Sequence, residues 1–222
     1  LTRGLGAGGD PTVGKQAAEE SKEKIKDLLK GSDMVFVAGG MGGGTASGAA
    51  PVIGEIAKDE LDILTIGVVT KPFMFEGTRR MVIAEEAIDK LKKKLDTVIV
   101  VPNQKLLDLA DSKKTLLEAF ELADSVLSEG VKGISELITT PGLINLDFAD
   151  IQSIMRDAGS ALLGIGQATG ENRAEKAVNE AISSKLLDVT IEGARGILFN
   201  ITGGKDLTMS EVEQAAQAIS KR

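Results

Sequence analysis

Short apolar runs alternate with longer amphipathic stretches through the first half of the chain. Met34-Val35-Phe36-Val37-Ala38, bounded by Gly31-Ser32-Asp33, predicts a buried strand. Residues 62–70, with Ile63-Leu64-Thr65-Ile66-Gly67-Val68-Val69 at their centre, predict a second, and Thr97-Val98-Ile99-Val100-Val101 a third. Helical spacing fills the intervals. Residues 13–30 carry Ala17, Ala18, Ile25, Leu28 and Leu29 as apolar positions, with Gly31 as C-cap. Residues 49–58 and 78–95 read as helices too, the latter closing on Lys92-Lys93-Lys94, which suits a helix C-terminus. Strands alternating with helices predict an α/β fold with a parallel, doubly wound sheet. In such a sheet the ligand lies beyond the carboxyl ends of the strands. Three polar or glycine-bearing connections fall there, at residues 39–48, 70–77 and 102–104.

The second half begins with one long helix over residues 115–138. Leu116, Phe120, Leu127, Val131, Ile134 and Ile138 recur at helical spacing and predict its buried face. Thr139-Thr140-Pro141-Gly142 breaks it, and another helix starts at about Asp147 with Phe148, Ile151 and Met155 inward. From Gly159 the character changes. A strand over 160–168, a helix over 173–183, a strand over 196–202 and a helix over 209–221 predict a smaller α+β domain. The expected division is therefore 1–114, a connecting helix 115–138, and 139–222.

Composition narrows the chemistry. The 222 residues are 42% hydrophobic, enough for a substantial core, and no apolar run reaches membrane-spanning length. There is no Cys, hence no disulfide framework or thiolate metal site, and no His, the commonest general base. Catalysis would rest on carboxylates, hydroxyls, Lys, Arg or backbone groups. A net charge of −7 argues against nucleic-acid binding through a broad basic field.

Gly39-Gly40-Met41-Gly42-Gly43-Gly44-Thr45-Ala46-Ser47-Gly48 is the most informative stretch. A strand, a glycine-rich loop and a helix N-terminus together present free N–H groups and a helix dipole to an anion. Thr45 and Ser47 add hydroxyls. The alternative is a tight strand-to-helix turn with no ligand. Gly4-Leu5-Gly6-Ala7-Gly8-Gly9 matches the dinucleotide fingerprint, but no strand precedes it, which sets a nicotinamide dehydrogenase aside. Residues 9–15 begin like a P-loop, yet Gln16 stands where a magnesium-binding Ser or Thr is needed. Phe120 and Asp124 are four apart and share a helix face. They are either a core ring and a surface charge, or a stacking ring and a carboxylate that accepts two N–H bonds from guanine. Asp147 and Asp150, three apart, either complement a helix dipole or polarise a water.

The chain resembles the tubulin/FtsZ GTPase family. The resemblance rests on the 4–9 glycine loop followed by Asp10-Pro11, on Gly40-Met41-Gly42-Gly43-Gly44-Thr45, on Thr70-Lys71-Pro72-Phe73-Met74-Phe75-Glu76-Gly77, and on Asn145-Leu146-Asp147-Phe148-Ala149-Asp150. It implies GTP or GDP as ligand, with Ala7, Gly8 and Gly9 near the γ-phosphate. Gly42, Gly43, Gly44, Thr45, Ala46, Ser47 and Gly48 would form the phosphate loop. Glu76 and Arg80 would lie at the ribose, and Asn103, Phe120 and Asp124 at guanine. Asp147 and Asp150, with Asn145 nearby, would be catalytic acids acting on the nucleotide of the next subunit in a head-to-tail filament. Magnesium would be held mainly by phosphates. Residues 1–114 would be part of a GTP-binding domain and 139–222 part of a C-terminal GTPase-activating domain.

The resemblance further implies a cytoplasmic protein of the division site, without nucleic-acid partners or direct membrane insertion. It would meet division-ring proteins through a C-terminal tail. The chain opens on Leu1 inside a loop, so it reads as a fragment. The family's first strand would fall before Leu1, and its last strands and tail after Arg222. One departure stands out. Ala46 occupies a place where the family usually has Gly, and a positive φ there would cost about 1–2 kcal/mol and weaken phosphate binding. A non-hydrolysing structural homologue is the alternative that Ala46 leaves open, and the paired acids argue against it.

Overall fold

The computed structural model describes residues 1–109, 115–182 and 194–220. They form two units, 1–161 and 162–222.

In the first unit, α1 (Pro11–Glu20) and α2 (Lys22–Leu29) precede β1 (Met34–Gly40), and α3 (Thr45–Glu55) runs into a single π-helical turn, Ile56–Glu60. β2 (Leu64–Lys71) leads through a short 3-10 turn to α4 (Thr78–Lys94), then β3 (Thr97–Pro102), α5 (Asn103–Leu109), α6 (Leu116–Thr139), α7 (Phe148–Met155) and β4 (Gly159–Ala161). The four strands form one sheet in the order β1-β2-β3-β4, each pair parallel. Val37, Val69 and Val98 point to one face and pack with Ala84, Ala87, Ile88 and Leu91 of α4. Ile66, Val68 and Ile99 point to the other, where α6 and α7 pack. Both faces of β2 are thus covered, which explains its unbroken apolar run.

The pattern placed these elements closely, with five differences. The connection expected over 39–48 ends at Gly44, because α3 starts at Thr45 and not at Ala49. The helix expected over 13–30 divides at Ser21 into α1 and α2. The connection expected at 102–104 is no loop, because α5 starts at Asn103 directly after β3. The buried face of α6 is Ala119, Ala123, Val126, Gly130 and Ile134, while Leu116 is 61% exposed. Large apolar side chains marked the face by hydropathy, but close approach to a sheet selects small ones. Lastly, of the strand expected over 160–168 only Gly159–Ala161 joins a ladder, and 196–202 joins none among the described residues. A strand is held by its neighbours, not by its own sequence.

In the second unit, α8 (Arg173–Ile182) packs against α9 (Met209–Ser220). Ser183 and Lys221, where the pattern ended these helices, lie outside the described residues. Arg173 donates from Nε to Glu211 at 2.6 Å and from Nη1 to Asp206 at 2.6 Å. The pairing holds the Glu211 carboxyl down at about 2 and raises the arginine.

Candidate functional site: two half-sites on opposite edges of the sheet

At the carboxyl edge, the loop after β1 is held tightly. Met41 donates its N–H to the Thr70 carbonyl at 3.0 Å. Gly42 has φ +104°, and a Cβ there would lie 2.8 Å from the Arg80 carbonyl oxygen, so the loop passes directly against the start of α4. The buried Ser47 hydroxyl accepts the Gly42 N–H at 2.9 Å and braces the loop from inside. No side chain caps α3, so the N–H groups of its first turn keep no side-chain partner. Side chains cap α1, α6 and α7 (Asp10, Thr115 and Asp147), while α2 and α4 share with α3 the lack of such a cap. A glycine-rich loop leading into an uncapped helix is an anion cradle.

The 4–9 loop joins this cradle. Ala7 is buried against the loop, its Cβ 2.8 Å from where a Gly44 Cβ would stand. Gly14 of α1 lies against Gly44 as well. Gly8 and Gly9 adopt positive φ and are exposed. Ala46 has no positive φ and sits in the first turn of α3, its side chain packed against the core. The strain anticipated at that position is absent.

The loop after β2 forms the next wall. Glu76 accepts the Phe73 N–H at 2.9 Å and pairs with Arg80 Nη1 at 2.6 Å. Met74 donates its N–H to Gln104 Oε1 at 3.2 Å, tying this loop to α5. Phe73 and Phe75 stack at 5.0 Å, and Phe120 meets both edge-on at 5.2 and 6.3 Å. Phe120, 39% exposed, is thus a ring at the rim of the carboxyl edge and not a core residue, with Asp124 exposed one turn later. Asn103 is 5% exposed, and its Oδ1 has no hydrogen-bond partner among the described residues. An orphaned buried acceptor at this edge fits a ligand donor. The sequence placed Phe73, Phe75 and Gln104 only within the edge connections 70–77 and 102–104 and gave them no roles of their own. The chain has six Phe and no Tyr or Trp, and half of its aromatic rings meet here. Two Phe within three residues were the available signal.

Asn145, Asp147 and Asp150 lie elsewhere. Asn145 closes a turn, its Oδ1 accepting the Gly142 N–H at 2.6 Å. Asp147 and Asp150 cap each other's backbone, with Asp150 N to Asp147 Oδ1 at 2.9 Å and Asp147 N to Asp150 Oδ2 at 3.1 Å. One oxygen of each carboxylate is so used and the other is left over. From Phe120, α6 runs some 19 residues further, about 28 Å, away from the glycine loops. The end of α7 is fastened to the amino edge of the sheet, since Thr97, the first residue of β3, donates its hydroxyl to the Met155 carbonyl. Arg156 there bonds Asp62, just before β2. Ala149 lines a shallow cavity with the same Asp62. The glycine loops and the acids therefore sit at opposite ends of strands about 25 Å long. One chain does not bring them together.

The GTPase-domain model of the Tubulin/FtsZ family matches residues 1–111, and the FtsZ-family C-terminal-domain model matches residues 159–222. The chain belongs to the tubulin/FtsZ family. Among solved FtsZ structures, an empty dimer from M. jannaschii is 48% identical with a TM-score of 0.93, over 99% of this chain and 64% of that one. A W319Y mutant of FtsZ from M. jannaschii is likewise 48% identical with a TM-score of 0.94, over 100% and 66%. CetZ from Methanosaeta thermophila shares the fold at 20% identity and a TM-score of 0.75, over 98% and 62%. The chain spans about two-thirds of the length of these structures. No helix among the described residues is long and apolar enough to cross a membrane.

Proposed function

We propose that this chain is part of a GTPase that assembles head to tail, each copy completing the nucleotide site of its neighbour. The observation that carries the reading is the separation of the two half-sites to opposite edges of one sheet. A filament that stacks carboxyl edge on amino edge brings the Asp147 and Asp150 of one copy to the nucleotide of the next. A dimer among the matched FtsZ structures is consistent with such self-association.

In this reading, GTP lies along the carboxyl edge. The 42–44 loop and the first turn of α3, residues 45–48, take the β- and γ-phosphates, with Ala7, Gly8 and Gly9 beside the γ-phosphate. Glu76 and Arg80 face the ribose. Phe120 offers a ring to the base, Asp124 accepts the paired N–H groups of guanine, and the Asn103 oxygen accepts a further donor. The free carboxylate oxygens of Asp147 and Asp150 accept the protons of a water and aim it at the γ-phosphorus. The water oxygen bonds to that phosphorus, the bond to the bridging oxygen breaks, and GDP leaves. Magnesium would be carried mainly by the phosphates of the substrate. The division site and contact with division-ring proteins through a C-terminal tail complete the proposal.

The deciding experiment follows GTP turnover of the native-length protein against its concentration. Turnover that appears only above a threshold concentration supports the shared site. Turnover linear down to the lowest concentration shows that one chain is complete, and overturns it. Ala46, the feature that favours a non-hydrolysing homologue, has no positive φ and lies in the first turn of α3, which supports the hydrolysing reading.

A further inference from the structure

The amino edge holds a set of polar contacts that nucleotide binding does not use. α7 is eight residues long, too short to keep its own orientation. Its N-terminus is capped by the acids themselves, so both carboxylates turn with the helix axis. Apart from Ile151 and Met155, it buries little. Its C-terminal end is held instead by hydrogen bonds. Arg156 donates from Nη1 to Asp62 Oδ1 at 2.6 Å and from Nη2 to the Asp62 carbonyl at 3.3 Å. Lys58, from the π-helical turn, bonds Asp157 at 2.6 Å and Asp96 at 3.1 Å. Asp96 in turn accepts the Asp157 N–H at 3.3 Å and two bonds from Thr65 at 2.9 Å.

Asp62 and Asp157 both take positive φ, at 54° and 53°. Conformations of this kind persist where the surroundings over-determine them. In the Arg156–Asp62 pair the Asp62 side chain is 85% open to solvent and the Arg156 side chain 35%. Exposed pairs contribute little to stability. Geometry is what such a pair can still supply.

We propose that Arg156 and Asp62, with Lys58 and Asp96 behind them, are positioning residues that fix the pose of α7 and hence of Asp147 and Asp150 toward the neighbouring copy's nucleotide. This rests on the reading of those acids given above.

The test compares Arg156→Gln, Asp62→Asn and Asp147→Asn in the native-length protein. It measures GTP affinity, thermal unfolding, threshold concentration and turnover per assembled subunit. For Arg156→Gln and Asp62→Asn, turnover per assembled subunit is expected to fall about ten-fold or more, as a displacement near 1 Å can cause. GTP affinity, unfolding temperature and threshold should stay near the parent's, and Arg156→Lys should recover part of the loss. Turnover per assembled subunit equal to the parent's overturns the inference, as does a loss matched by a rise in threshold or a fall in GTP affinity. Asp147→Asn separates the two failures. If it abolishes turnover while the Arg156 and Asp62 variants do not, only the positioning role is lost. If it leaves turnover intact, the reading of the acids fails first.

Discussion

A Cβ on Gly14 would fall 2.1 Å from the carbonyl oxygen of Gly44. This contact holds α1 tightly against the glycine-rich loop, with the 4–9 loop beside it. Gly14→Ala must push the two apart, with overpacking that costs about 1–3 kcal/mol. We expect a lower unfolding temperature together with weaker GTP binding, measured by thermal unfolding and nucleotide titration. Unchanged affinity would show that the two loops do not act as one cradle.

Asp147 caps α7, and the proposed function gives it a second, separable task. Asn caps a helix about as well as Asp, so Asp147→Asn should stay within about 0.5 kcal/mol of the parent in denaturant unfolding. Asp147→Ala should lose about 1 kcal/mol. Both should lose hydrolysis. An Asp147→Asn protein that still turns over GTP would make the residue a cap and nothing more.

The orphaned oxygen of Asn103 predicts a direct cost in binding. Asn103→Ala removes one hydrogen bond to the ligand and should weaken GTP about ten-fold by calorimetric titration. Asp124→Asn replaces an acceptor of two N–H groups with an amide and should narrow the preference for GTP over ATP. An Asp124→Asn protein with undiminished preference would remove that carboxylate from base recognition.

Ala46 is a plain helical position. Ala46→Gly should leave GTP affinity unchanged and destabilise the protein by about 0.5–1 kcal/mol, the ordinary helix cost of glycine. Tighter GTP binding in that variant would revive the idea of strain there.

Lys58 and Asp96 predict a stability window. Burial alone would push the Asp96 carboxyl up, but the Thr65 N–H, the Lys58 ammonium and the Thr65 hydroxyl outweigh it and hold it below the usual range. Its contribution is therefore present above about pH 3.9, the unfolded value, and is lost as pH falls through the lower folded value. Burial would lower Lys58, and its bonds to Asp157 and Asp96 outweigh that and raise it. Its contribution is present below about pH 10.4 and is lost as pH rises through the folded value above that. Unfolding temperature should fall at both extremes, and Lys58→Met should flatten the alkaline side. An alkaline limb unaltered in Lys58→Met would show that the pair carries no pH-dependent stability.

What could be read from the residues was decided by local rules. The three apolar strands, α4, the start of α7 near Asp147 and the glycine loop as far as Gly44 follow from periodicity and turn chemistry, and the structure has them. The face of α6 did not follow, because hydropathy weights Leu116 and Phe120 above Ala119 and Gly130, while packing against a sheet reverses that order. The Phe73, Phe75 and Phe120 cluster joins residues some 45 positions apart, and no local pattern reports such a meeting. The same holds for the distance between the glycine loops and the acids, which depends on the direction of α6 across the sheet.

The π-helical turn at Ile56–Glu60 amounts to one additional residue in an otherwise regular coil. In a helix each residue is also a rotation, of about 100°. Deleting a single residue here would leave the composition of the chain almost untouched and swing Lys58 to another side of its axis, away from Asp96 and Asp157. The turn thus works as an angular spacer. It sets the compass bearing of one ammonium group, and for this chain a one-residue gap in that segment is a larger change than many substitutions in the core.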